Sequence, residues 1–302
     1  MLATRHLRLL LIAAFSISVI TLISSYGSGG SLGSFFSSSV LSHDVARLSL
    51  REHMRLAERI WSKTVEQRHN LLGEWRYPEI MPLFPADSPP KYPKSPYSIW
   101  DFVPASWSCP YEMERIGRMG DGGKWVCGMS KYEELPATRP CVIYSFGVQT
   151  ESSYGKRRDD RANKLRDLGL RLLCGKFWQA VERGAQGART LHSGCDILKM
   201  DIEYAEFASL TSLDEAFPAD DGFELPIGQL MVELHLFGHE AITGYNFLQW
   251  WESLEARGLR PVWTEPNLLY TTMRIEKGDP RLAEYTLVNI KDRRSVLFEG
   301  LN

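Results

Sequence analysis

Three apolar runs, each of which ends in polar residues, constrain the fold of this chain more than any other feature. They are CVIYSFGVQ at 141–149, DILKMDIE at 196–203 and GQLMVELHLFG at 228–238. An amphipathic pattern at 242–259 predicts a helix that ends at Gly258, because glycine is a common C-terminal stop. RPVWTEPN and YTLVNIKD follow as late strands. Buried strands that alternate with helices predict an α/β fold with a parallel, doubly wound sheet.

Polar residues stand at the carboxyl ends of all three early strands. Ligands of doubly wound sheets bind at these ends. We therefore expect Tyr144–Gly147, Asp201–Glu203 and Glu233–His235 to lie on one rim of the sheet. The glycine-rich dinucleotide fingerprint is absent, but the single Gly147 lets the backbone approach a ligand closely.

The chemistry of these polar residues stays open at this point. Carboxylates and an imidazole are suitable ligands for a divalent ion, and they can also form an acid–base set. The alternative is that they are simple polar caps at strand ends. Asp201 is the strongest candidate because it follows an unbroken buried strand, whereas Glu206 is predicted to be a helix first-turn charge. The residues concerned are Asp201, Glu203, Glu233 and His235.

The net charge argues against binding of nucleic acid. The chain of 302 residues is 44% hydrophobic and has a net charge of -2, which leaves no electrostatic footprint for nucleic acid. The basic stretch GKRRDDRANKLRDLGLR also contains three Asp, so it is predicted to be a solvated face.

DGGKWVC at 121–127 lacks the Walker pattern of a phosphate loop and is interpreted as a structural turn or a lid.

The cysteines leave two interpretations open. There are five, so at least one thiol is unpaired within the chain, and the absence of a C-x-x-C pair argues against a structural zinc site. Cys109 and Cys127 would form a disulfide if the domain is lumenal, and otherwise they are buried thiols. The full set is Cys109, Cys127, Cys141, Cys174 and Cys195.

Residues 1–26 predict a membrane anchor. A basic flank precedes an uncharged run from Leu9 to Ile23, and 7–26 is just long enough to cross a bilayer. The positive flank should stay in the cytosol and place the rest of the chain in the lumen. A cleaved signal peptide is the alternative. Both interpretations send the protein into the secretory pathway, to the ER or the Golgi.

The segment between this anchor and the globular domain is predicted to be a spacer. Residues 27–42 are rich in Gly and Ser and are typical of a flexible linker. Residues 44–75 have apolar positions near helical spacing and predict a stalk helix. Seven prolines in 78–96 favour an extended linker or wrap. We therefore assign 27–98 to this spacer and 99–302 to the domain.

Four motifs together resemble the methyltransferase-like 24 family and its fungal relatives. They are CPYEMERIGRMGDGGKWVC, CVIYSFGVQTESSYG, ILKMDIEYAEF and QLMVELHLFG, and the resemblance covers about 99–155 and 195–298. The Lys-x-Asp-x-Glu-x-x-Glu pattern from Lys199 also resembles FkbM-type methyltransferases. The resemblance implies an S-adenosylmethionine-dependent enzyme with a Rossmann-like class I sheet, often membrane-anchored and facing a lumen.

The resemblance also implies roles for the rim residues. The first cofactor turn would be formed by Ser145, Phe146 and Gly147, with Glu151 after it. Asp201 would bind the cofactor beside the transferred methyl group, with Glu203 adjacent to it, and Glu233 and His235 would face an unknown methyl acceptor.

One segment departs from the family pattern. A second strand that ends in an acid should hold the cofactor ribose, but LRDLGLRLLCGKFWQ at 165–179 has neither strand alternation nor that acid. One set of codons for this stretch, read one nucleotide later, encodes CEIWGYDFSVGNFGR, which resembles the expected signature. We hypothesise an out-of-frame segment at about 156–190, which sequencing of the transcript would test. A further strand and helix before Cys195 also look absent, so the chain as written is expected to be a poor enzyme.

Two other functions fit the same pattern. A lumenal glycosyltransferase would use Asp201 and Glu203 to hold a divalent metal and a nucleotide-sugar. A non-catalytic, membrane-tethered binding module would bind neither S-adenosylmethionine nor a nucleotide-sugar.

Overall fold

The computed structural model describes residues 48–88, 90–91, 94–120, 122–147, 194–236, 242–273 and 280–301, and the backbone of 171–174. Residues 50–302 form one compact unit. The predicted anchor at 1–26 and linker at 27–42 lie outside the described residues. Within the described part of the chain, no helix is both long and apolar enough to cross a membrane.

The described helices and strands follow the order expected for an α/β fold. The α-helices are α1 (Leu50–Gly73), α2 (Met129–Glu133), α3 (Glu206–Ala216), α4 (Gly244–Ala256) and α5 (Leu268–Met273). The strands are β1 (Met113–Ile116), β2 (Lys124–Cys127), β3 (Val142–Phe146), β4 (Arg171–Cys174), β5 (Cys195–Met200), β6 (Ile227–His235), β7 (Leu259–Pro266) and β8 (Leu282–Asn289). The three early strands, the helix that stops before Gly258 and the late strands therefore occur as predicted.

The main sheet is mixed rather than fully parallel. Its order is β4-β3-β5-β6-β8-β7, and β3, β4, β5 and β6 are parallel. The expectation of a parallel sheet is wrong for β8, which pairs antiparallel with both β6 and β7. The chain from β7 to β8 turns back through α5 and pairs with the strand it has just left, so no crossover intervenes.

Both faces of the sheet are buried, as the continuous apolar runs predict. In β6, Leu230 belongs to one core cluster and Met231 to the other. In β5, Leu198 belongs to the same cluster as Leu230, and Ile197 belongs to the same cluster as Met231. Neighbouring residues of a strand point to opposite faces, so each face has its own core.

The second strand is present, in contrast to the sequence expectation for 165–179. The backbone of Arg171–Cys174 pairs in parallel with β3, with Ser145 opposite Cys174. The prediction missed this strand because its four residues are too few to show an alternating pattern. The remainder of 165–179 lies outside the described residues.

A disulfide-linked hairpin covers one face of the sheet. β1 and β2 pair antiparallel, and Cys109 forms a disulfide with Cys127. The side chain of Gln229 in β6 accepts a hydrogen bond from the Cys127 amide at 2.7 Å and donates one to the Cys127 carbonyl at 3.0 Å. The interpretation of DGGKWVC as structural is therefore confirmed: Gly122, with a φ of 92°, lies in the turn, and KWVC continues from it as strand β2, fixed against β6.

Helix α1 packs against the domain instead of forming a separate stalk. Arg68 is 2% exposed, and its guanidinium contacts both carboxylate oxygens of Glu255, at 2.6 and 3.0 Å. Glu58 forms an ion pair with Arg260 at 2.7 Å. The structure therefore differs from the predicted boundary at residue 99, because the compact unit already includes α1.

The proline-rich segment also belongs to the domain. It contains two short 3₁₀ turns, Pro78–Ile80 and Pro85–Asp87, and wraps rather than forming an α-helix. Met81, Leu83 and Phe84 are buried in the core cluster that contains α4. Of the two predicted alternatives, linker or wrap, the structure has the wrap.

Candidate functional site

The turn after β3 lies directly against the end of β5. Phe146 pairs with Met200 in the parallel register, so Gly147 and Asp201 are the first residues beyond two neighbouring strands. Gly147 has a φ of 80°, and a Cβ atom there would overlap the carbonyl oxygen of Asp201. Only glycine fits this close approach without strain.

Lys199 joins these two strand ends. Its Nζ atom lies 3.1 Å from Oδ2 of Asp201 and donates a hydrogen bond to the carbonyl of Phe146 at 3.2 Å. The lysine is 4% exposed. The buried ammonium of Lys199 thus orients the Asp201 carboxylate and also binds the backbone of the turn after β3.

Ser145 offers an unused polar group beneath the same turn. It is 2% exposed, and its Oγ atom has no hydrogen-bond partner among the described residues. A buried hydroxyl without a partner costs about 1–3 kcal/mol. Such a group is suited to a polar ligand at the turn.

A second buried lysine, which the sequence did not single out, reaches the rim from the hairpin. Lys124 is 2% exposed, and its Nζ atom lies 2.6 Å from Oε1 of Glu284 and 3.1 Å from Oε2 of Glu233. Oδ2 of Asp201 is 3.8 Å away. Burial lowers the pKa of Lys124, but the charges of Glu284, Glu233 and Asp201 outweigh burial and hold that pKa above its usual value. The lysine therefore stays charged.

Glu284 is poised between its two protonation states near neutral pH. Burial raises its pKa, the Lys124 ammonium lowers it, and the charge of Glu233 raises it again, to about 7. Glu233 lies directly opposite Glu284 on the neighbouring strand and also accepts a hydrogen bond from Nδ2 of Asn267 at 2.9 Å. Glu233 is therefore held from two sides, by Lys124 and by Asn267.

His235 ends β6 and is fixed by Glu206. Its Nδ1 atom lies 2.9 Å from Oε1 of Glu206, which also accepts a hydrogen bond from the Ile202 amide at 3.0 Å. Glu206 is the first residue of α3, as predicted, but it is fully buried rather than a solvated helix charge. Burial lowers the pKa of His235, while the hydrogen bond and charge of Glu206 and the charges of Glu233 and Glu203 outweigh burial and raise it.

Glu203 approaches His235 from a left-handed turn. Glu203 and Tyr204 have φ values of 53° and 79°, an uncommon conformation for residues other than glycine. This turn places Oε2 of Glu203 3.6 Å from Nε2 of His235, and the ring of Tyr204 5.4 Å from the imidazole. One ligand atom each from Asp201, Glu203 and His235 lies within 4.8 Å of the others, a spacing that could hold a metal ion.

The structure thus places seven of the eight candidate residues at one edge of the sheet. Ser145, Phe146, Gly147 and Asp201 adjoin β3 and β5, and Glu203, Glu233 and His235 follow towards β6. The eighth, Glu151, lies outside the described residues. Sequence reasoning missed three polar partners of this set, Lys124, Glu284 and Asn267, which carry no local signal. Lys199 stood in the Lys-x-Asp-x-Glu-x-x-Glu pattern, but no role was assigned to it.

Comparison with known proteins supports a methyltransferase domain. A family model described as a methyltransferase domain matches residues 85–160, less than half of the chain. A fibrillarin pre-rRNA processing protein of Methanococcus jannaschii is similar at 14% identity, over 59% of this chain and 83% of that chain, with a TM-score of 0.29. A TM-score of this size does not establish a shared fold. No curated protein matches the chain.

Proposed function

We propose that this protein is an S-adenosylmethionine-dependent methyltransferase that resembles the methyltransferase-like 24 family. The observation that supports this most directly is the contact between the Gly147 turn and Asp201 at the carboxyl ends of two adjacent parallel strands. Ligands of doubly wound sheets bind at such ends. The family-model match at 85–160 supports the same class of enzyme.

The cofactor would lie against the turn Ser145–Gly147. The unpartnered Oγ of Ser145 offers it a hydrogen bond, and the carboxylate of Asp201 suits its positive charge. The cofactor supplies a methyl group on a sulfonium centre. In this proposal the chain's own residues bind and orient, and the buried Lys199 keeps Asp201 directed towards the turn.

One cofactor contact is expected to be weak. The second strand, β4, is followed by Gly175 and Lys176 rather than by an acid that would bind the ribose. A charge-assisted hydrogen bond of this kind contributes about 1.5–3 kcal/mol. We therefore expect low affinity for the cofactor in the chain as written.

The acceptor would bind on the β6 side of the rim. Glu284, with a pKa of about 7, is suited to accept a proton from an acceptor near neutral pH. Lys124, which also pairs with Glu233, holds it in place.

We place the enzyme in the lumen of the secretory pathway, anchored by residues 7–26. The disulfide between Cys109 and Cys127 supports this location, because such bonds persist mainly in oxidising compartments. The apolar run in the sequence supports the anchor.

A thermal-shift screen of the full chain tests the proposed activity. S-adenosylhomocysteine should raise the melting temperature of the wild type, because a ligand that binds only the folded state stabilises it. Asp201→Asn should lose this shift, and Asp220→Asn, a control at an exposed position, should keep it. No shift in the wild type would count against the methyltransferase.

The same screen examines the glycosyltransferase alternative. UDP-sugar with Mn²⁺ should stabilise such an enzyme beyond Mn²⁺ alone, and the cluster of Asp201, Glu203 and His235 is the observation that favours testing it. The methyltransferase domain match does not favour this alternative. A tethered binding module would respond to neither ligand.

A further inference from the structure

We propose that Asp201, Glu203 and His235 form a binding site for a divalent cation, with Glu206 as the outer carboxylate that orients the imidazole. The proposal concerns ion binding alone and does not depend on methyl transfer. It starts from the spacing of one ligand atom from each residue, all within 4.8 Å of one another.

The orientation of His235 is the first argument for this site. Oε1 of Glu206 lies 2.9 Å from Nδ1, and a carboxylate can only accept a hydrogen bond, so Nδ1 carries the proton. In the neutral ring this leaves the lone pair of Nε2 on the side of Glu203. Histidines that bind metals in proteins usually donate their second nitrogen to a carboxylate in this way.

The contact between Glu203 and His235 is the second argument. Oε2 of Glu203 lies 3.6 Å from Nε2, which is too long for a hydrogen bond. Metal–ligand bonds of about 2.0–2.2 Å to an oxygen and a nitrogen place the two ligand atoms about 3.0–3.5 Å apart, according to the coordination geometry, which is close to the observed separation. The observed separation therefore suits two ligands of one ion better than a direct pair.

The buried carboxylate of Glu206 is a separate observation. Glu206 is fully buried, and its Oε2 atom has no partner among the described residues. A buried charge with an unsatisfied oxygen is costly unless a cation lies nearby. A divalent ion bound through His235 would supply that positive charge from the far side of the imidazole.

The lysines leave Asp201 able to bind an ion. Both Lys199 and Lys124 approach the same oxygen, Oδ2, at 3.1 and 3.8 Å. The two cations also do not offset all the nearby acids, because Lys124 already pairs with Glu284 and Glu233. The side chain of Glu203 is 61% exposed, so an ion can enter from solvent.

The ligand set indicates the class of ion. Imidazole favours transition metals, and carboxylates favour Mg²⁺, Ca²⁺ and Mn²⁺, so the mixed set suits a divalent transition metal, among which Mn²⁺ shares the preference for carboxylates. Three protein ligands leave coordination positions open to water or to an oxygen of a bound molecule.

Titration of the EDTA-treated full chain with Mn²⁺, followed by electron paramagnetic resonance, tests the site. The wild type should bind one ion, and Glu203→Gln should weaken binding at least about tenfold through loss of a ligand. Glu206→Gln should weaken binding about 10–100-fold, although Glu206 orients His235 and is not itself a ligand of the ion. Glu215→Gln, at an exposed position on the same helix as Glu206, should bind like the wild type.

Spin-echo modulation of the bound Mn²⁺ gives a second readout that a folding defect would not mimic. The wild type should show coupling to an imidazole nitrogen, and His235→Gln should lose it while circular dichroism remains native. No binding at millimolar Mn²⁺ would overturn the proposal. Equal affinity of Glu203→Gln and the wild type would do the same. These measurements contain no methyl donor, so they remain informative if the proposed enzyme activity fails.

Discussion

Lys124 and Glu284 form a buried ion pair, with 2.6 Å between Nζ and Oε1, that joins the disulfide-linked hairpin to the main sheet. The same ammonium contacts Glu233 on the neighbouring strand at 3.1 Å. One side chain of β2 thereby holds acids of β6 and β8 at the rim where the candidate residues converge. The hairpin is therefore part of the site and not only a cover for the core.

Replacement of Lys124 by Met should destabilise the protein strongly. It leaves Glu233 as a buried charge without its cation, beside Glu284, and breaking a buried pair in this way costs about 3–5 kcal/mol. Urea unfolding at neutral pH measures the loss. Lys131→Met on α2, which removes an exposed ion pair with Glu134 and a cation–π contact with the ring of Tyr111 but leaves no buried charge, serves as the control and should change the midpoint little. A Lys124→Met protein as stable as the wild type would show that the acids do not depend on this lysine.

The pH dependence of stability should carry the signature of Glu284. Its pKa is about 7 in the folded state against an ordinary 4.5, so the native protein binds more protons than the unfolded chain between these values. The contribution of Glu284 to the free energy of unfolding is fully present below pH 4.5. It decreases by about 3 kcal/mol as the pH rises through about 7.

Glu284→Gln isolates this effect from other groups that titrate in the same range. The free energy of unfolding of the wild type, relative to the variant, should fall as the pH is raised from 4.5 to 7.5. Parallel pH curves for the two proteins would contradict a raised pKa at this position.

Reduction of the disulfide should loosen the hairpin. The bond joins Cys109 to Cys127, a sequence separation of 18, and loops of this size gain about 3 kcal/mol from closure. Dithiothreitol should lower the melting temperature of the wild type to that of the double variant Cys109→Ser/Cys127→Ser. The double variant should not respond to the reductant, and a further fall would point to another effect of the reagent.

Helix α1 should be required for folding of the domain. Arg68→Met leaves Glu255, which is 4% exposed, without its bidentate partner and should cost about 3–5 kcal/mol. Arg59→Met, at an exposed position on the same helix, should have no effect. A fragment that begins at Ile99 should fail to fold, whereas one that begins at Leu48 should show a cooperative transition. Cooperative unfolding of the fragment that begins at Ile99 would show that the domain begins at residue 99, as the sequence predicted.

The sequence alone determined the strands that build the rim, because their signal is local. The apolar runs that contain β3, β5 and β6 are continuous, and each ends at the acid, histidine or glycine that the structure places at one edge. The doubly buried sheet follows from the same runs. The short β4 and the antiparallel β8 did not follow, since four residues show no pattern and strand direction depends on which neighbours pair.

Only the tertiary structure decided which charges meet. Lys124 and Glu233 are 109 residues apart in sequence, and neither carries a local sign of the other. Glu206 looked like an ordinary helix charge until folding buried it against His235. An amphipathic helix such as α1 shows that one face will be covered but does not show by what. Contacts of this kind depend on the whole packing of the chain, whereas the apolar periodicity that predicts a strand is written within a few neighbouring residues.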